Sequence, residues 1–187
     1  MRKKKGGNYF GKYRGTVVNN IDPRSLGRLF VIVPDLGEFP TSWALPSFPF
    51  SGRSMGFWAL PQIGAGVWVE FEQGDSNYPI WAGCWFGGAE ELPTDALLAP
   101  PLLPNIVIQS QTANKIVLSD VPGVGGILLQ TRTGAKIEIN DLGITITNGL
   151  GEEIQMLPGI INIKCSGPVS VKGNPIALNG ANLTVLP

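Results

Sequence analysis

The stretch PQIGAGVWVEFEQGDSNYPIWAGCWFG, residues 61–87, carries the pattern on which the fold turns. Val67, Val69 and Phe71 alternate with Trp68, Glu70 and Glu72. A strand sends successive side chains to opposite faces, so the first set fills a core and the second faces outward. QGDSNYP then reads as a turn, with Gly74 tolerating positive φ and Asp75 able to hydrogen-bond the nearby backbone. PIWAGCWFG returns as a second strand, so the stretch is an aromatic-rich hairpin. Such a hairpin can bind nucleic acid, hold a substrate or join one part of an assembly to another.

Around the hairpin, extended runs continue from residue 13 to residue 86: YRGTVVNNI, GRLFVIVPDL, TSWALPSF, SMGFWALP, GAGVWVEFEQ and PIWAGCWFG. Gly and Pro separate them and no helical periodicity intervenes. Their number and spacing suit a small five-stranded Greek-key barrel of the OB type over residues 11–87. Residues 1–10 read as a flexible basic tail. The proline-rich segment GGAEELPTDALLAPPLLPN follows the barrel, and residues 88–105 read as a linker.

Beyond it, pairs of aliphatic residues recur one residue apart: Ile116/Leu118, Ile127/Leu129, Ile137/Ile139, Ile144/Ile146, Ile154/Met156, Ile161/Ile163, Val169/Val171, Ile176/Leu178 and Leu183/Val185. Each marks a half-buried strand, and INDLG, TNGLG, LPG, CSGP, KGNP and NGAN supply turns between them. A strand offering two inward residues cannot surround its own apolar stripe, so partners are required. About eight residues per strand suits three chains wound together, each giving one face of a triangular prism. Residues 106–187 are therefore expected to form an intertwined trimeric β-helix, a needle. The pairs from Ile116 to Leu178 would be its axial core, with Gln130, Arg132, Lys136, Glu138, Thr145 and Lys164 facing water. A β-sandwich of antiparallel hairpins is the competing arrangement.

Composition agrees with an assembly subunit. The 187 residues carry 14 Lys plus Arg and 14 Asp plus Glu, a net charge of zero, and are 43% hydrophobic. Only 15% are charged, which is sparse for a free monomer and points to apolar surface hidden between chains. There is no histidine, which removes the usual general base and the commonest transition-metal ligand. Cys84 and Cys165 are far apart without a CxxC pairing, so neither a zinc site nor a disulfide is indicated. Glu90/Glu91 and Glu152/Glu153 are neighbours in sequence and do not face one site, while GVGG at 123–126 lacks the Lys-Ser/Thr and helix of a phosphate loop. No catalytic, cofactor or metal residue is expected. MRKKKGG is not followed by an apolar segment, and ALLAPPLLPNIVI is broken by prolines, so the chain reads as soluble. Trp43, Trp58, Trp68, Trp81 and Trp85 read as core and interface residues, because stacking on single-stranded nucleic acid also calls for a basic groove.

The motif P-x-I-G-x-x-V-x-V-x-F-x-x-G-D-x-x-x-P-I-x-x-G, matched from Pro61 through Gly83, resembles the central spike of contractile injection machines. GRLFVIVPDL, SWALPS, NKIVLSDVPG and GAKIEINDLG extend the likeness over nearly the whole chain. That family includes phage baseplate assembly protein V and the valine-glycine repeat spike of type VI secretion. The resemblance implies a homotrimer docked on a baseplate hub protein, whose needle pierces the target envelope. It also implies a conical tip protein with proline-alanine-alanine-arginine repeats, meeting Asn179, Gly180, Ala181, Asn182, Leu183, Thr184, Val185, Leu186 and Pro187, and effector cargo as a further partner. The linker is too short for the lysozyme domain of some spikes, so puncture would be mechanical. Without histidine the iron-binding apex of others is ruled out too. Implied localisation is cytoplasmic during assembly, then the baseplate of a phage-tail-like particle, then the target envelope on contraction. The alternative is an OB-fold module for nucleic acid or carbohydrate with a β-stalk for oligomerisation.

Overall fold

The computed structural model describes residues 9–37 and 42–173. It is all-β apart from one short α-helix and three 3-10 turns, and it divides into two compact units meeting at Leu92 and Pro93.

The first unit is a closed barrel. β1 (Tyr13–Asn19), β2 (Leu29–Ile32), β3 (Trp43–Pro46), β6 (Gly66–Phe71) and β7 (Pro79–Trp85) follow one another around it in the order β1-β2-β3-β7-β6. Only the β3–β7 pair is parallel. The alternation in β6 is the one expected: Val67, Val69 and Phe71 are buried, while Trp68 and Glu70 are half-buried on the outer face. With Val17, Leu29, Val31, Val33, Ala44 and Trp81 they make the core. Gly15 belongs inside the barrel, because a Cβ there would lie 2.5 Å from Val31 Cγ1 and 2.9 Å from Val69 Cγ2. In β7 the residues Ala82 and Gly83 together oppose Trp68, a bulge made possible by φ of +108° at Gly83.

Two sequence expectations for the barrel are modified. SMGFWALP is not a barrel strand: only Met55–Gly56 (β5) is extended, paired with Ser51–Gly52 (β4) in a separate two-stranded hairpin. Its prolines and glycines suit a projecting loop better than a ladder. The turn after β6 opens with a 3-10 segment, Glu72–Gly74, in which Gln73 as well as Gly74 has positive φ. Asp75 Oδ1 accepts from the Asn77 N–H at 3.0 Å, the local bond expected of this residue.

The second unit is a single antiparallel meander. β8 (Ile106–Gln109), β9 (Lys115–Ser119), β10 (Gly126–Gln130), β11 (Lys136–Asn140), β12 (Gly143–Thr147), β13 (Glu153–Leu157) and β14 (Ile160–Lys164) pair each with the next. Residues 141–142 and 158–159 make the tightest turns. The expected linker segment carries a short helix, α1 (Thr94–Leu98), beside β8. Lys115 Nζ meets Asp95 Oδ2 at 2.6 Å, and Asn105 Nδ2 donates to the Asp95 carbonyl at 2.8 Å. Val169 and Val171 are exposed and belong to no strand. Ile176/Leu178, Leu183/Val185 and residues 179–187 lie outside the described residues.

Candidate functional site: an uncovered aliphatic face

Strand register turns the recurring pairs into two continuous rows. One runs Ile106, Leu118, Ile127, Ile139, Ile144, Met156, Ile161, each directly opposite the next. The other runs Ile108, Ile116, Leu129, Ile137, Ile146, Ile154, Ile163. Neighbouring strands are about 4.8 Å apart, so each row crosses seven strands over roughly 29 Å. No charged residue interrupts either row.

The opposite face has a different chemistry. Val107, Val117 and Leu128 form its apolar start, and Val117 is the one fully buried hydrophobic residue among the described residues of this unit, at 5% exposure. Glu138, Thr145, Gln155 and Asn162 continue it, with Lys136 Nζ 2.6 Å from Glu138 Oε2 and Asn140 Nδ2 donating to Glu138 Oε1 at 3.3 Å. Gln130, Lys136, Glu138, Thr145 and Lys164 all lie on this side of the sheet, and Arg132 is in the turn after β10.

The aliphatic rows have no covering layer among the described residues of their unit. Thirteen of the fourteen residues are exposed, from 38% at Ile146 to 68% at Ile161, and Ile144 is half-buried. Toward β9–β12 the face is hollowed, with about 540 Å³ of space lined by Ile108, Ile116, Leu129, Ile137 and Ile146. A sheet is stable when its apolar face packs on a second layer, so this face is built to receive one. The sequence reading missed Ile106 and Ile108. Their alternation was present in PNIVIQ but was masked by the adjoining run of leucines and prolines.

Other candidate groups are dispersed. Glu91 Oε2 accepts from the Gly87 N–H at 2.7 Å, whereas Glu152 is bonded by Asn148 and by Ser166 Oγ at 2.9 Å. These bonds, Asn148 first, hold the Glu152 carboxyl below the usual carboxylate range. Glu153 belongs to the opposite face of β13, across from Lys164 and Thr147. Glu91 and Glu152 therefore serve separate local contacts, and neither shares a site with its neighbour in sequence. Cys84 and Cys165 are free thiols, and desolvation raises the Cys84 pKa. GVGG forms a turn in which the Gly125 N–H donates to the Val121 carbonyl at 2.7 Å.

Four of the five tryptophans are engaged within the barrel, and Trp58 is largely exposed. Trp81 is buried and its indole N–H donates to the Gly27 carbonyl at 3.0 Å. Trp43 packs on Phe30 and under the Arg28 guanidinium. Trp68 and Trp85 share the guanidinium of Arg14, at 5.8 and 5.1 Å. With Lys12 paired to Glu70 and Arg28 to Asp22, the described barrel residues present no continuous basic groove of the kind single-stranded nucleic acid requires.

Two family models match the chain. Residues 13–86 match the type VI secretion system/phage-baseplate injector OB domain. Residues 105–184, which include the whole seven-stranded sheet, match the phage baseplate V C-terminal trimerisation domain. No curated protein sequence matches the chain.

Proposed function

Because the chain belongs to the injector family of phage baseplates and type VI secretion systems, we propose that three copies form the central spike of a contractile injection machine. Its trimerisation domain supports a homotrimer. The observation that carries the reading is the pair of aliphatic rows. Three sheets related by a threefold axis can turn these rows toward one another and bury them together, which no single copy can do. Each fully buried Ile or Leu contributes roughly 1.5–3 kcal/mol, and forty-two row residues in three chains leave the water together.

In this proposal residues 1–10 are a tail, 11–87 the barrel, 88–105 the connection and 106–187 the needle. The barrels dock on a baseplate hub. The prism, with the sixteen residues from Ile116 to Leu178 in its core, leads the injected tube through the target envelope. Asn179 to Pro187 meet the conical tip protein, and effector cargo travels with the spike. Its action is mechanical: a stiff apolar-cored rod transmits the force of contraction, and no chemical step is needed. Assembly takes place in the cytoplasm. A nucleic-acid or carbohydrate module is the less favoured reading, since the match extends through a trimerisation domain and the described barrel residues present no continuous basic groove.

The test is location together with mass. The purified chain is expected to scatter light as a heat-resistant three-chain species. A tagged copy is expected at the baseplate end of tail-like particles by electron microscopy. A stable monomer, or a tag absent from such particles, overturns the proposal.

A further inference from the structure

The β4–β5 hairpin is an exposed apolar feature of the barrel unit. Every residue from 49 to 59 is exposed. The hairpin is nevertheless ordered by backbone pairing, with the Phe57 N–H donating to the Phe50 carbonyl at 3.1 Å. Its root is locked. The Phe48 ring packs on Trp58 at 5.4 Å and edge-on against Trp81 at 5.5 Å. Gly27 lies beneath them, and a Cβ there would come 3.1 Å from both the Phe48 and Trp58 rings.

The hairpin carries Phe50, Met55 and Phe57 at 54%, 63% and 47% exposure, and Trp58 at its root is itself 61% exposed. Large side chains of this kind bury about 150–250 Å² each, so the patch is on the order of 400 Å². That matches the largest apolar patch of an ordinary monomer, a feature that is often functional. Between Glu38 and Glu70 the only charged residue is Arg53, at the hairpin tip, and it makes no ion pair among the described residues.

We propose that this hairpin is a tongue that inserts into an apolar groove rimmed by carboxylates on a different protein, the baseplate component that receives the barrels. The inference rests on the spike reading and names the surface that docks. The chemistry selects the occupant. Two copies do not meet tongue to tongue, because that would bring Arg53 against Arg53. Such a twofold contact also cannot close among three equivalent chains. One charge in so long a segment cannot follow a phosphate backbone. An acidic rim pairs with the guanidinium while the groove covers the rings, which is the aromatic-plus-arginine composition of interface hot spots. A stable interface takes about 800 Å² from each partner, so the tongue forms its centre and the surrounding barrel its rim.

The test uses the full chain in assembled particles. A photoreactive phenylalanine analogue replaces Met55, and Arg53→Glu and Phe57→Ser are made separately. Near-ultraviolet circular dichroism and the three-chain mass verify folding, and Arg53→Glu alters only an exposed side chain. Expected are a crosslink from position 55 to a different polypeptide and at least a tenfold loss of particle incorporation for Arg53→Glu. Incorporation should return when an acidic residue of the crosslinked peptide is changed to Lys. Crosslinks solely between copies of this chain, or wild-type incorporation of both folded variants, overturn the tongue and leave the spike reading standing. Absence of the wild-type chain from particles overturns both.

Discussion

Ile137 of β11 lies directly across from Ile146 of β12, and both side chains stand on a face that nothing in their own sheet covers. Thr145, one residue away, lies opposite Glu138 on the other face. One position along this strand therefore separates the uncovered aliphatic face from the polar one.

Ile146→Asp should abolish the three-chain species, because threefold symmetry places three carboxylates around one axis and each buried, unpaired charge costs several kcal/mol. Thr145→Asp should assemble as the parent does. Light scattering reads both. Equal trimer yields would mean that the faces are reversed.

Gly15→Ala tests the barrel alone. The new methyl would have to displace Val31 and Val69, both in the core, and overpacking of this kind costs about 1–3 kcal/mol. Tryptophan fluorescence during thermal unfolding should show a lower midpoint for the barrel, with the three-chain mass unchanged. An unchanged midpoint would show that the barrel wall yields freely at this site.

Acid should loosen the loop before β2. The Arg28 guanidinium, at 3.0 Å through Nε, and the N–H groups of Arg24, Leu26 and Arg28 hold the Asp22 carboxyl far below its ordinary range. A depressed folded-state pKa means that the unfolded chain takes up the proton first. The stabilisation is complete above the unfolded value of about 3.9 and is lost as pH falls below it toward the folded value. Asp22→Asn should be less stable at neutral pH and show a shallower decline between about pH 4 and pH 2. Parallel pH profiles for the two proteins would refute the linkage.

The Asp95–Lys115 pair has side chains 19% and 18% exposed, so its loss is felt but is partly screened. Asp95→Ala should cost about 1 kcal/mol or less and free residues 93–105 from β9. Limited proteolysis should then nick that segment faster in the variant while the seven-stranded sheet stays intact. Equal cleavage rates would show that Asn105 and α1 hold the segment without the ion pair.

The aliphatic rows were legible because alternation is a local property. Each pair such as Ile154/Met156 announces a strand and a face regardless of what the strand adjoins. The barrel core at Val67, Val69 and Phe71 was readable for the same reason. The β4–β5 hairpin was not, because SMGFWALP has the aromatic content of a strand while its pairing depends on a four-residue turn and on the anchorage of Phe48 between Trp58 and Trp81. The hold of α1 on β9 was hidden too, since Asp95 and Lys115 are twenty residues apart and nothing in either neighbourhood marks them as partners.

By itself the sequence determined an all-β chain, two organised regions, the aliphatic face of the strands from β9 to β14, and a chain without histidine. These follow from period, composition and turn residues, which act over a few positions. Tertiary structure decided which strands pair, and register is what converts isolated Ile and Leu pairs into two unbroken rows. A shift of one residue in any pairing would have turned that strand's aliphatic pair to the opposite face. It also decided that Trp43, Trp68, Trp81 and Trp85 make their contacts within the barrel, while Trp58 stands exposed on the β4–β5 hairpin. Such contacts join residues far apart in the chain, and their free energy exists only once the backbone has brought them together.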